Sequence, residues 1–243
     1  GFELMMASYT IAHMKIGLKL SATGYTFASD ERLRIYLTNT LEEAHDLTAQ
    51  FEGMAPALAH EATAANEVKR GTPITVVIGN PPYSGISGNM NAWIDGLLKG
   101  RLPDGTRVRS YYEVEGQPLR EKKVWLQDDY VKFVRYAQWL IERSNSGILG
   151  FVTNHAFITN PTFRGMRWQL LKTFSTLTIL DLHGNAKKGE RSPDGERDEN
   201  VFDIQQGVAV SVFARAPGAQ YDVEQPNVSH LDAWGREKVS RSS

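Results

Sequence analysis

Ile74-Thr75-Val76-Val77-Ile78-Gly79-Asn80-Pro81-Pro82-Tyr83 is the stretch whose reading decides the fold. Its first half is a run of β-branched residues, stiff at χ1 and suited to a pleated surface. Apolar residues at consecutive rather than alternate positions predict a strand buried on both faces, the pattern of a parallel sheet. Gly79 closes the run. Working outward, similar runs recur at 147–153 and 177–182, and 207–214 alternates into a last strand. The clearest helix is 128–143, where Tyr130, Phe133, Val134, Ala137, Leu140 and Ile141 make one apolar stripe. Asp128 and Asp129 favour its N-terminus through the helix dipole. Helical spacing also marks 5–16 and 163–174, and the Ala- and Glu-rich 41–68 reads as helix broken at Gly53 and Pro56. Residues 32–37 read as a short strand with Leu33, Ile35 and Leu37 on one face.

Strands separated by helical segments predict an α/β fold whose mostly parallel sheet is covered on both faces. The last two strand candidates lack a clear helix between them, so one of them is expected to run antiparallel. Residues 84–125 read as an irregular insertion with at most a short helix, and 183–200 as a polar, mobile loop. No internal repeat is read.

Composition bounds the function classes. The chain has 243 residues, 41% of them hydrophobic, which excludes a disordered chain and allows a sizeable core. Zero cysteines exclude a disulfide framework and a thiolate zinc site. With 27 Lys+Arg against 28 Asp+Glu, the net charge of −1 argues against a domain that grips nucleic acid by charge alone. No apolar run reaches the roughly 18–20 residues of a spanning helix, and the opening residues are not a signal peptide.

Sites in open parallel sheets form beyond the carboxyl ends of the strands, where Asn80-Pro81-Pro82-Tyr83 would lie. Two prolines fix φ and remove two backbone donors, leaving carbonyls that only accept hydrogen bonds. Asn80 adds a side-chain acceptor and Tyr83 a flat aromatic face. Together they suit a planar –NH2 group, its hydrogens held by two acceptors and its π-system stacked on a ring. A strand terminator followed by an ordinary surface Tyr is the alternative. His13, His155 and His183 show no metal-ligand spacing, and no nucleophile elbow is present. Arg101, Arg107, Arg109, Arg120, Lys122 and Lys123, with Lys187 and Lys188, either touch phosphates or form a solvated loop.

These residues carry a resemblance. Asn80-Pro81-Pro82-Tyr83 matches the amino-methyltransferase signature, and the chain resembles N6-adenine DNA methyltransferases of restriction–modification systems. The resemblance extends to the large single-polypeptide restriction enzymes, type ISP and type I- or IIG-like. It rests also on Gly1-Phe2-Glu3-Leu4, Leu37-Thr38-Asn39-Thr40-Leu41, Asp128-Asp129-Tyr130-Val131-Lys132-Phe133, Asp198-Glu199-Asn200-Val201-Phe202-Asp203-Ile204 and Asp232-Ala233-Trp234-Gly235-Arg236-Glu237-Lys238.

The resemblance implies a Rossmann-like, class I methyltransferase fold with one antiparallel strand and S-adenosylmethionine as cofactor. It implies a catalytic domain over 1–216, truncated at its N-terminus, with 217–243 a linker or the start of a target-recognition region. The family's Gly-rich cofactor loop would lie upstream of Gly1, so these residues alone are expected to bind the cofactor weakly or not at all and to be inactive by themselves. Glu3 would accept hydrogen bonds from the cofactor's ribose hydroxyls, and Asn39 would approach its adenine or simply form a turn. Asn80 and the Pro81 carbonyl would hold the target amine while Tyr83 stacks on the base, with Pro82 completing the catalytic turn and Asn80 also facing the cofactor. Phe202 would pack against the extruded base, or belong to the core, and His155 would line the DNA side. Expected partners are double-stranded DNA with a flipped adenine and neighbouring nuclease, translocase and target-recognition domains, in the cytoplasm and away from membranes. Protein-glutamine methyltransferases share the tetrapeptide, and a non-catalytic DNA-binding module would keep the fold.

Overall fold

The computed structural model describes residues 1–28, 32–44, 56–83, 85, 87–120, 124–218 and 226–235. The chain divides into two compact units, Gly1–Thr72 and Pro73–Ser243, each taken by itself below. Among the described residues no helix is long and apolar enough to cross a membrane.

In the first unit, β1 (Phe2–Glu3) pairs in parallel with β2 (Tyr36–Leu37), Glu3 opposite Leu37. The helix α1 (Met6–Ala22) connects them with no residue buried, exposing Met6, Ile11, Met14, Ile16 and Leu18. The strand expected over 32–37 shrinks to its last two residues. Ile35 N–H donates to the Leu33 carbonyl at 2.8 Å, a tight turn that the extended ladder cannot contain. The helix α2 (Pro56–Gly71) fastens β2: Glu61 takes both Arg32 guanidinium nitrogens, at 2.5 and 2.9 Å, and the Leu37 N–H at 2.9 Å. Gly53 and the rest of the predicted break at 45–55 lie outside the described residues.

The second unit holds a five-stranded sheet in the order β3-β6-β8-β7-β9. These are β3 (Val76–Gly79), β6 (Gly147–Asn154), β7 (Thr176–Asp181), β8 (Val208–Arg215) and β9 (Val228–Asp232). β3 pairs in parallel with β6 and β7 with β9, while β8 runs against both β6 and β7. Four strands therefore share one direction. The β7–β8 connection carries no helix, and an antiparallel pair needs no crossover. β9 falls in 217–243, which the resemblance gives as a linker or the start of a target-recognition region. All five of its residues are exposed, so what seats it is backbone pairing along β7 rather than side-chain burial.

The core lies on one face of this sheet. Leu149, Phe151, Leu177, Ile179 and Phe213 pack against helices α3 (Ala92–Lys99), α4 (Asp129–Ser144), α5 (Ala156–Thr159) and α6 (Arg164–Thr173). The alternate residues face the other way, and there Val76, Ile78, Ile148 and Val212 are exposed, Ile78 by 81%. The prediction of burial on both faces is corrected. Consecutive β-branched residues report a strand's tolerance for burial, but which face is filled depends on where the helices pack, and all four helices join one cluster. Gly79 belongs to the packed face: a Cβ there would sit 3.0 Å from the Phe151 ring.

The segment 84–125 is no mere insertion. Asn91 Oδ1 caps α3 by accepting the Ile94 N–H at 3.0 Å, and Gly100 in the left-handed region ends it at φ 90°. Trp93, Ile94, Leu97 and Leu98 are buried from this helix. A two-residue turn at Glu115-Gly116 then joins β4 (Glu113–Val114) to β5 (Gln117–Pro118).

Candidate active site

Asn80-Pro81-Pro82-Tyr83 leaves the carboxyl end of β3. Pro81 is buried and anchors the turn, while Asn80 and Pro82 are exposed. Among the described residues neither the Asn80 carboxamide nor the Pro81 carbonyl has a hydrogen-bond partner, so both acceptors are available. Tyr83 is half-buried, its ring packed on the core cluster, and burial raises its hydroxyl pKa. A ring fixed along its buried side offers a stacking surface at little entropic cost.

The loop that follows is fastened to α4 by Lys132 and Asp129, which the sequence places in a family block without a role toward this loop. Lys132 is 1% exposed, and its ammonium donates to Ser87 Oγ at 2.6 Å and the Asn89 carbonyl at 2.5 Å. Asp129 accepts from the Ser87 hydroxyl and, at 3.1 Å, from the Asn89 amide. Burial lowers the Lys132 pKa, partly offset by Asp129. Charged side chains on a core-facing stripe look solvated in sequence; here their partners come from about 40 residues upstream.

Beyond β6, β7 and β9 lies a second cluster. His155 is 6% exposed, with Nδ1 3.0 Å from Asp181 Oδ1 and Nε2 3.4 Å from the Asn185 amide. A Cβ on Gly207 would come within 2.5 and 2.7 Å of Cε1 and Cδ2 of that ring. The structure thus buries His155, where the sequence reading has it lining the DNA side. His183, at φ 48°, stacks on Trp234 with centroids 3.4 Å apart and sets Nε2 2.8 Å from Asp232. Burial pushes the Asp181 pKa up, but the His155 ring and the His183 N–H outweigh it and hold the carboxyl below its ordinary range. His155, Asp181 and His183 bring ligand-capable atoms within 4.8 Å of one another, as do Asp181, His230 and Asp232. Nitrogen and oxygen donors of this kind suit zinc or manganese. The sequence spacing of the histidines gave no sign of it, because Asp181 joins them through the sheet.

Phe202 is 46% exposed, which removes the core alternative for it. It lines a cavity of about 390 Å³ with Arg197, Asn200, Val201 and Ile204. Asn200 shapes this wall, donating to the Gly184 and Gln206 carbonyls at 3.1 and 2.6 Å and accepting the Phe202 N–H at 2.9 Å.

In the first unit, Glu3 ends β1. One carboxylate oxygen accepts the Met5 N–H at 2.9 Å and the other has no partner among the described residues. A carboxylate with one oxygen to spare fits a ribose hydroxyl. Asn39 is engaged in the turn it forms, accepting from Leu41 N–H at 3.0 Å and donating to Glu42 at 3.0 Å. Lys69 braces that turn, donating to Thr38, the Asn39 carbonyl and the Glu42 carbonyl; burial takes its pKa down to about 8.

The model of the Eco57I restriction-modification methylase family matches residues 3–187. The chain belongs to that family. No curated protein matches it. Among solved structures this restriction-modification methylase is similar to a DNA complex of DrdV, at 26% identity and a TM-score of 0.67 over 96% of this chain and 21% of that one. It is also similar to the ATP-dependent type ISP restriction-modification enzyme LlaBIII bound to DNA, at 24% identity and 0.69 over 96% and 15%. A third is a nuclease-deletion mutant of the type ISP enzyme LlaGI with a DNA substrate mimic, at 21% identity and 0.69 over 99% and 22%. The methylase spans less than a quarter of each of those chains. Its fold is that of an α/β methyltransferase, a mixed sheet packed with helices.

Proposed function

We propose that this chain carries the methyl-transfer step of a restriction–modification enzyme, from S-adenosylmethionine to the N6 amine of an adenine flipped out of duplex DNA. The observation that carries the reading is the Asn80-Pro81-Pro82-Tyr83 turn after β3, with two unengaged acceptors beside a half-buried ring. Adenine N6 is a poor nucleophile because its lone pair is conjugated into the ring. Accepting both amine hydrogens, at Asn80 Oδ1 and the Pro81 carbonyl, draws density onto nitrogen and favours a geometry with an available lone pair. Tyr83 stacks on the base and holds N6 in line, and Phe202 covers its other side. Positioning and fixed dipoles supply most of the barrier reduction, so neither a strong base nor a carboxylate is needed. Extruding the base costs a few kcal/mol of stacking, partly offset by these aromatic faces.

Glu3 would hold the ribose of the cofactor, whose sulfonium supplies an already activated methyl group. Asn39 would contribute through the backbone of its turn, since its side chain is committed there. His155 would act behind the surface, orienting the loop after β6 through Asp181.

A glutamine side chain also presents a planar –NH2, but the three similar structures are DNA complexes. Labelled methyl transfer by the full-length protein to duplex DNA and to a glutamine peptide separates the two. The proposal expects label in DNA and none in the peptide; label in the peptide alone overturns it.

A further inference from the structure

Two loops of the second unit repeat one seven-residue pattern that the sequence reading missed, Arg-x-Pro-Asp-Gly-x-Arg. It stands as Arg101-Leu102-Pro103-Asp104-Gly105-Thr106-Arg107 and again as Arg191-Ser192-Pro193-Asp194-Gly195-Glu196-Arg197. Both copies fold alike. Gly105 N–H donates to the Leu102 carbonyl and Gly195 N–H to the Ser192 carbonyl, each at 2.9 Å, with the glycines at φ 87° and 83°. Proline pre-sets the first central residue, and glycine alone takes the positive φ cheaply.

The arginines end up as cross-strand partners, Arg101 opposite Arg107 and Arg191 opposite Arg197. The bonds flanking each pair run from Val108 N–H to the Gly100 carbonyl and Leu102 N–H to Thr106, and from Asp198 N–H to Glu190 and Ser192 N–H to Glu196. That pattern makes both pairs non-hydrogen-bonded ones, the closest cross-strand position, with Cα atoms about 4.5 Å apart and both side chains on one face. Like charges placed so destabilise a hairpin.

Among the described residues no carboxylate relieves them. All four arginines are exposed, and among the described residues none has an ion pair. Arg191 only reaches back to the Gly195 carbonyl at 2.7 Å. Elsewhere in the chain Arg32 pairs with Glu61, and Arg109 and Arg135 with Glu142. Two guanidinium forks side by side with no acid between them complement an anion that accepts from both, and a phosphate does so bidentately. Arg197 also lines the cavity that holds Phe202.

We infer that these two hairpins are paired-arginine clamps for the phosphodiester backbone of duplex DNA, placing the duplex beside the base-binding loop. The inference rests on the DNA reading of this methylase but not on the reaction. The hairpins fix register, and sequence information comes from elsewhere.

The test is duplex binding by the chain as a function of salt, for wild type, Arg101→Ala/Arg107→Ala, Arg191→Ala/Arg197→Ala and the control Lys99→Ala, whose lysine is paired with Asp95. Each hairpin variant is expected to lower the slope of log K against log[salt] by about 0.9, the value for one phosphate contact, because each arginine pair closes on one phosphate. Lys99→Ala is expected to leave it unchanged. Arg→Gln versions of both pairs, checked by circular dichroism, replace any alanine variant that does not fold. Inorganic phosphate at constant ionic strength is the competing arm and is expected not to displace the duplex. No duplex binding, slopes equal to wild type, or displacement by millimolar phosphate each overturns the clamp. A protein that binds through the hairpins yet methylates no adenine defeats the proposed reaction and leaves this inference standing.

Discussion

Replacing Lys132 by Met isolates what holds the loop behind the candidate site. The ammonium is the donor to Ser87 Oγ and the Asn89 carbonyl, and its positive charge sits within the Asp129 network. Met keeps the length and apolar stem but removes the charged donor from both acceptors, at about 1.5–3 kcal/mol, while Ser87 Oγ still accepts the Asn89 N–H at 3.0 Å. It also leaves the Asp129 carboxylate, itself buried, without its cation. Against this, the ammonium no longer suffers the desolvation that lowers its pKa, so the net loss is about 2–4 kcal/mol. For a chain of this size that lowers Tm by roughly 4–16 °C, at about 2–4 °C per kcal/mol. Thermal and urea unfolding give the stability term, and methyl transfer to DNA gives the functional one. Because Ser87 lies a few residues past Tyr83, kcat is expected to fall more than KM rises. A double-mutant cycle with Asp129→Asn should reveal coupling beyond about 0.5 kcal/mol. Unchanged Tm together with additive single mutants would refute the role given to Lys132 in holding this loop.

Other expectations follow from the same structure. Gly207→Ala places a methyl against the pinned His155 ring and should cost about 1–3 kcal/mol by urea unfolding, with a His155→Ala background removing most of it. Ile78→Thr should stay within about 0.5 kcal/mol of wild type while Phe151→Ala loses about 3–5 kcal/mol, because only the second faces the helices; equal losses would contradict the one-sided sheet. Lys69 has its pKa lowered by burial from 10.5 to about 8, so the unfolded chain binds the extra proton between those values. Stability relative to Lys69→Met should therefore rise as pH climbs from about 8 to 10.5, and a difference that is flat with pH counts against the burial.

The strands and helices of the second unit were legible because periodicity is local. The 128–143 stripe reappears as α4, and the runs near 147–153 and 177–182 as β6 and β7 within a residue or two. What was not legible is non-local. Val76 and Ile78 read as fully buried because β-branched residues favour strands whichever way the face points, and only helix placement empties one side. Trp93, Ile94, Leu97 and Leu98 carry helical spacing, but the Gly- and Arg-rich residues around them hid it. Lys132 and Arg135 have acceptors that come from distant segments, which no local pattern reveals. His155 met Asp181 only across the sheet. The tetrapeptide at 80–83 was legible because its chemistry lies in one contiguous turn. The repeat at 101–107 and 191–197 is equally local, with Arg, Pro, Asp, Gly and Arg shared at five of its seven positions, but its copies stand far apart in the chain.

The central claim is that Asn80 and the Pro81 carbonyl take the hydrogens of an adenine amine. Mass spectrometry of nucleosides from duplex DNA, treated with the full-length protein or with its Asn80→Ala variant, tests it most directly. The account predicts N6-methyldeoxyadenosine with the first and a rate lower by about 10²–10³-fold with the second, the scale set by removing one group aimed at developing charge. An Asn80→Ala variant that makes N6-methyldeoxyadenosine at the unaltered rate would contradict it.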